Sequence, residues 1–160
     1  MTITIEPWGD GHLELLRGLN SPEMTSELGG PETDAKVVAR NEKYVRLSAL
    51  PEGGTFVVRV DGKVAGNVNY WNDGDAWEMG WGVLPQFQGR GVATSAVLLA
   101  LAEARAEGNF RFVYAVPRVG NTASNGVCRK AGFRLESTKD MEYPPGEFAL
   151  SNYWVFDLEG

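Results

Sequence analysis

The chain opens on polar–apolar alternation, Thr2-Ile3-Thr4-Ile5, a period of two that predicts a half-buried strand running to Pro7. Leu13, Leu16 and Leu19 then recur every three residues, which predicts a short helix capped by Asp10 and stopped by Asn20-Ser21-Pro22. A turn-rich stretch, Leu28 to Thr33, leads into a charged helix over about 34–49. Its packing side is Val37, Tyr44, Val45 and Leu47, and it ends before Pro51 and Gly53-Gly54. From there the period returns to two. Thr55 to Val60 and Lys63 to Trp71 flank Asp61-Gly62, a pair suited to a type I′ hairpin turn. A second turn, Asn72 to Asp75, leads into Ala76 to Val83, so three antiparallel strands form a meander. Gly80 and Gly82 weaken a regular ladder in the third strand and predict a bulge, or the close approach of another backbone or a ligand.

Residues 91–107 are rich in Val, Ala and Leu on most sides, the pattern of a helix buried across a sheet. Gly108-Asn109 ends it, and Phe110 to Val116 reads as a buried strand. Strand, helix, strand in that order predicts a parallel pair with a right-handed crossover. After Pro117, Asn121 to Ala131 reads as a short capped helix closed by Gly132. Phe133 to Asp140 and Tyr153 to Leu158 supply the last two strands, joined through Pro144-Pro145-Gly146. The fold class expected is α+β: a mixed, mostly antiparallel sheet of six to seven strands with a parallel pair at its centre and about four helices. A length of 160 residues suits one domain, 1–160.

Composition narrows the function classes. Lys and Arg total 15 against 21 for Asp and Glu, a net charge of −6 without a basic stripe, which disfavours nucleic acid as a partner. An acidic surface attracts cationic amines and equally serves solubility. No long apolar run and no basic-then-apolar N-terminus occurs, so neither a membrane partner nor export is expected, and the expected location is cytoplasmic. One cysteine, Cys128, and one histidine, His12, make a metal site unexpected.

The stretch that carries chemistry is Val83 to Thr94. An apolar strand ends at Pro85, a glycine-rich turn follows, and the long helix begins near Gly91. Such a turn aims unpaired N–H groups outward at the positive end of the helix dipole, a seat for phosphate. Gly89 and Gly91 also fit a plain tight connection. A Walker loop would need Gly-Lys-Ser/Thr, which is missing, and a dinucleotide fingerprint would need Gly or Ala where Thr94 stands.

Gln88, Gly91 and Ala93 match the pyrophosphate signature of the GNAT family of N-acetyltransferases, and the chain resembles that family. Asn121, Ser124 and Asn125, followed by Ala131-Gly132-Phe133, match its second mark. Glu78-Met79-Gly80-Trp81 together with the Asn121 helix looks most like the branch that includes the ribosomal-protein N-terminal acetyltransferases. The resemblance implies acetyl-CoA as donor, an amine as acceptor, and a central strand pair splayed to admit the cofactor. It places the pyrophosphate on the backbone of Gln88, Gly89, Arg90, Gly91, Val92, Ala93 and Thr94. Trp81, Gly82 and Val83 would pair with the pantetheine arm, with Asn121 and Ser124 on the far side. Arg90 could add charge at the 3′-phosphate or point to water. The oxyanion donor would be a backbone N–H near Val83.

The best candidate base is Glu78, in an apolar run that could raise its pKa; a structurally bonded or solvent-facing Glu is the alternative. Many family members place a tyrosine acid where this chain has Cys128, so the acid is open between Cys128, Ser124 and water, with Cys128 as a small packing residue the plainer reading. The acceptor pocket is expected between the loop of Leu28, Gly29 and Gly30, the strands at Trp71 and Trp77, and the loop beginning at Tyr143. The same aromatic residues could serve the core or a homodimer. An acyl-CoA-binding sensor without turnover is the alternative to an enzyme.

Overall fold

Residues 1–50 and 52–160, described by a computed structural model, build one seven-stranded sheet in the order β1-β2-β3-β4-β5-β7-β6. In chain order the elements are β1 (Ile3–Pro7), α1 (Leu13–Leu19), α2 (Pro22–Thr25), α3 (Asp34–Ser48), β2 (Gly54–Val60), β3 (Lys63–Asn72) and β4 (Trp77–Val83). There follow α4 (Val92–Glu107), β5 (Phe112–Ala115), α5 (Thr122–Ala131), β6 (Arg134–Glu142) and β7 (Phe148–Asp157). The mixed α+β architecture is the one expected, with β4 and β5 as its parallel pair. The proline at 51, expected after the second long helix, lies outside the described residues. No helix among the described residues is long and apolar enough to cross a membrane.

Each face of the sheet has its own core. Along β4, Trp77, Met79 and Val83 point to one side and pack under α4, whose Ala96, Val97, Ala100, Leu101 and Ala104 are all buried. The small residues among these let the helix lie close to the sheet, and each buried Val or Leu contributes about 1.5–3 kcal/mol. On the opposite side Trp8, Leu15, Leu16, Val37 and Val57 form a second core under α1 and α3. Glu78, Gly80 and Gly82 point to that second face because successive strand residues alternate.

Local signals explain most boundaries. Asp61 and Gly62 both take positive φ, 49° and 83°, as a type I′ turn demands. Asn121 caps α5 by accepting the Ser124 N–H at 3.2 Å, and Gly132 closes it in the left-handed conformation. Other boundaries moved. The first helix starts after His12 without a side-chain cap, so Asp10 is not its cap. Ser21-Pro22 does not merely stop α1; the Ser21 hydroxyl caps α2 by accepting the Met24 N–H. Strand β7 begins at Phe148, five residues before the expected Tyr153, because the full length of β6 is there to pair with it.

The expected bulge at Gly80 and Gly82 is absent: β3 and β4 pair in unbroken register from Gly66–Val83 to Asn72–Trp77. The irregularity sits in β3 instead, where Ala65 is passed over between the pairs Val58–Gly66 and Arg59–Val64. The close backbone approach falls at Gly66, where a Cβ would collide with the Gly82 carbonyl oxygen.

Candidate active site

Strands β4 and β5 pair only at Trp77–Val113 and Glu78–Tyr114. Beyond Glu78 the two strands part, so the β5-facing edge of β4 from Met79 to Val83, Trp81 and Gly82 included, has no strand partner. The result is a V whose vertex is Glu78 and whose far ends lead into the two helix N-termini, α4 after β4 and α5 after β5.

At the β4 end the chain makes a 3-10 turn, Pro85–Phe87, before the glycines. Gln88 anchors the turn: its Nε2 donates to the Val83 carbonyl at 2.8 Å, tying the loop to the end of the strand. Gly89 and Gly91 both adopt positive φ, 75° and 76°, and nothing lies within 4 Å of where a Cβ would stand on either. The open space beside them is what a bulky anion needs, and the left-handed conformation is what only glycine takes cheaply. The first intrahelical bond of α4 runs from Ser95 N–H to Gly91 O at 3.1 Å. The N–H groups of Gly89, Arg90, Gly91, Val92, Ala93 and Thr94 therefore have no protein acceptor among the described residues. These six donors lie at or just before the N-terminus, the positive end, of a 16-residue helix. The Val92 side chain itself is buried in the core, so only its backbone serves the seat, while Arg90 is exposed.

The other arm of the V ends at α5. Asn121 spends its side-chain oxygen on the Ser124 cap, and Ser124 is half-buried. One turn on, Cys128 does not reach the cleft: it is fully buried in the α4 core, and burial pushes its thiol up to about 12. A thiol so placed packs as a small apolar group, the plainer of the two readings of Cys128. Asn125, in sequence only a part of the motif, is the hub of this corner. Its Nδ2 donates to the carbonyls of Asn121 and Arg118, and its Oδ1 accepts from Trp154 Nε1 and Asn152 Nδ2 at 2.8 and 2.9 Å.

Glu78 is half-buried at the vertex, and burial, then the nearby negative charge of Asp73, raises its pKa to about 7. A carboxyl that exchanges its proton near neutrality can act as a base there. On the same face of the sheet, directly opposite Glu78, stands Trp71, 40 % exposed, whose ring edge lies 3.4 Å from the position of a Cβ on Gly80. Directly opposite Gly80 is Asn69. Its Nδ2 donates to the Tyr44 hydroxyl of α3 at 3.1 Å, while its Oδ1 is the one buried side-chain polar atom without a partner among the described residues. Leaving a buried acceptor unpaired costs about 1–3 kcal/mol.

The two loops expected to flank the acceptor touch each other. A Cβ on Gly29 would stand 2.9 Å from Glu147 Oε2 and 3.0 Å from Pro144 Cδ, so the loop carrying Leu28, Gly29 and Gly30 touches the β6–β7 loop. Arg40 of α3 pairs with Glu32, and Tyr143 lies near enough to Arg40 and Tyr44 to influence both electrostatically. Leu28 and Tyr143 are exposed. Trp77 is corrected: it is fully buried on the α4 side, its Nε1 donating to the Gly108 carbonyl, and it lines no wall. Asn69 and Tyr44 were missed as site residues because their pairing spans 25 positions and follows no local pattern. A surface cavity of about 370 Å³ lined by Pro7, Phe56, Tyr70 and Glu107 lies at the opposite end of α4 and is separate from this cleft.

Known structures share this fold. The chain superposes on RimL, a ribosomal L7/L12 α-N-protein acetyltransferase in complex with coenzyme A, with a TM-score of 0.82 at 18% identity, covering 98% of this chain and 94% of that one. It superposes on a spermidine N-acetyltransferase from Vibrio cholerae in complex with CoA and spermine with a TM-score of 0.80 at 19% identity, covering 98% and 96%. An aminoglycoside acetyltransferase in complex with coenzyme A gives 0.74 at 19%, covering 98% and 95%. At these identities the likeness establishes the fold. The family follows from the sequence model of the acetyltransferase (GNAT) domain, which matches residues 2–134, and the chain belongs to that family.

Proposed function

We propose that this protein is an acetyl-CoA-dependent N-acetyltransferase that passes the acetyl group directly to a primary amine. The observation that carries this reading is the continuity of the six-donor turn at residues 89–94 with the unpaired edge of β4. A pyrophosphate needs convergent N–H donors in a concave loop, and an amide-rich arm needs a free strand edge; the V offers both in sequence. Bound there, acetyl-CoA supplies the acetyl group and departs as the thiol.

The residues divide the work by position. Residues 88–94 hold the phosphates, Trp81, Gly82 and Val83 align the arm through their backbone, and Asn121 and Ser124 close the opposite side. An N–H of the free β4 edge near Val83 stabilises negative charge on the acyl oxygen. Glu78, with its carboxyl near neutrality, takes a proton from the amine, directly or through one water. Ser124 or water returns a proton to the thiolate. The acceptor lies over Trp71 and Gly80, between the Leu28 and Tyr143 loops. The fold relatives act on a protein N-terminus, spermidine and aminoglycosides, and these chemistries define the panel of amines to try.

The donor half of the proposal is tested by calorimetry with acetyl-CoA. Gly91→Glu places a carboxylate in the seat and should abolish binding while circular dichroism shows the fold intact. Unchanged affinity would remove the loop from the account.

A further inference from the structure

We propose that Asn69 is a specificity-determining residue: with Glu78 it forms a two-acceptor seat that takes both N–H groups of a neutral primary amine, opened when the Trp71 ring lifts from Gly80. The inference rests on the acetyltransferase reading above and names how that site chooses its acceptor.

Three placements carry it. Asn69 and Glu78 lie on the same face of neighbouring strands, diagonal to each other across the pairs Asn69–Gly80 and Trp71–Glu78. Diagonal cross-strand neighbours sit about 7 Å apart, a gap one nitrogen can span with two hydrogen bonds of about 2.9 Å from side chains that lean together. Second, the amide of Asn69 is held by the Tyr44 hydroxyl through Nδ2, which leaves Oδ1 as a fixed acceptor that no protein donor reaches among the described residues. Third, the cover is removable. Gly80 has no side chain, and the Trp71 ring fills the space above it at van der Waals distance. That ring is 40 % exposed and its indole N–H finds no acceptor among the described residues, so little holds it down.

A neutral primary amine matches the seat because it carries two N–H donors and one lone pair. With the donors on Glu78 and Asn69, the lone pair is free to face the acyl carbon. As the N–C bond forms and the C–S bond breaks, one N–H proton passes to Glu78. The other stays on the product amide, still donated to Asn69 Oδ1. The proton on Glu78 then passes by way of Ser124 or water to the departing sulfur, which leaves as free thiol, so Glu78 returns to its carboxylate. An N-methyl amine has one N–H, and its methyl group would face a buried oxygen.

The test measures kcat/KM for the best primary amine of the panel and for its N-methyl derivative, in wild type, Asn69→Leu and Tyr44→Phe. The wild type is expected to favour the primary amine by at least about tenfold, the scale of one lost hydrogen bond to a buried acceptor. Asn69→Leu should bring that ratio to within about twofold while KM for acetyl-CoA stays put, a split that a general loss of structure would not give. Tyr44→Phe, which only frees the amide to turn, should lower the ratio part of the way and serves if Asn69→Leu does not fold. A ratio near one in wild type, or one unchanged in the variants, overturns the inference and leaves the acetyltransferase standing. Wild type that binds acetyl-CoA yet acetylates no amine overturns both.

Discussion

Trp154 Nε1 donates to Asn125 Oδ1 at 2.8 Å, and through this bond α5 is fixed to β7. Asn125 is buried and fully satisfied, with donors to the Arg118 and Asn121 carbonyls on its other side. The N-terminus of α5, with Asn121 and Ser124, is thereby set against the open arm of the V.

Asn125→Leu should therefore lower stability by about 3 kcal/mol, since it strands the buried Trp154 Nε1, the half-buried Asn152 amide and several carbonyls. For a chain of this length that corresponds to a fall of about 6–12 °C in Tm. Because α5 forms one side of the cleft, KM for acetyl-CoA should rise as well. A Tm within about 2 °C of wild type would show that the bond network does not hold the helix.

Glu78 should give the pH profile an inflection near 7, where its carboxyl exchanges a proton. As a base it must be ionised, so kcat/KM rises with pH up to that point, apart from the separate titration of the acceptor amine. Glu78→Gln should remove the inflection and lower kcat/KM by about 100-fold or more, with calorimetric affinity for acetyl-CoA kept. Near-normal rates in Glu78→Gln would take this residue out of the mechanism.

The same carboxyl makes a stability prediction of definite sign. Its folded pKa of about 7 lies above the ordinary 4.5, so the folded state binds the proton more tightly between those values. Its contribution to stability is present below pH 4.5, is lost as pH rises to 7 and is constant above. Allowing for partial solvent screening, the loss is on the order of 2 kcal/mol. Urea unfolding at pH 5 and pH 8 should show Glu78→Gln gaining on wild type by that amount at the higher pH. An equal difference at both pH values would mean the carboxyl is solvated.

Cys128 should prove a packing residue. Cys128→Ala leaves a small cavity in the α4 core and should cost about 1–2 kcal/mol, yet kcat should stay within about twofold of wild type. A drop of a hundredfold without loss of acetyl-CoA binding would restore the thiol as the acid.

What could be read from sequence was what local chemistry decides. Asp61-Gly62 dictates its turn, the Ala96, Val97, Ala100, Leu101 and Ala104 side of α4 dictates burial while Leu98 and Leu99 stay exposed, and Gly89 and Gly91 dictate the left-handed turns before α4. The features that were misplaced depend on partners distant in the chain. The bulge belongs at Ala65, not at Gly80 or Gly82, because β3 must pair with β2 and β4 at once. Strand β7 starts early because β6 is long enough to template it. Trp77 and Trp71 read alike in sequence, and only the alternation of adjoining strands sends one to the core and the other to the cleft. The Asn69–Tyr44 pair joins β3 to α3 and leaves no local trace at all.

The most direct test is thiol release on mixing the protein with acetyl-CoA and each amine of the panel, with product mass as confirmation. The account predicts release that depends on an amine, a product heavier by one acetyl group, and loss of both in Gly91→Glu. Tight binding of acetyl-CoA with no release above hydrolysis for any amine would contradict it and point to a sensor of the same fold.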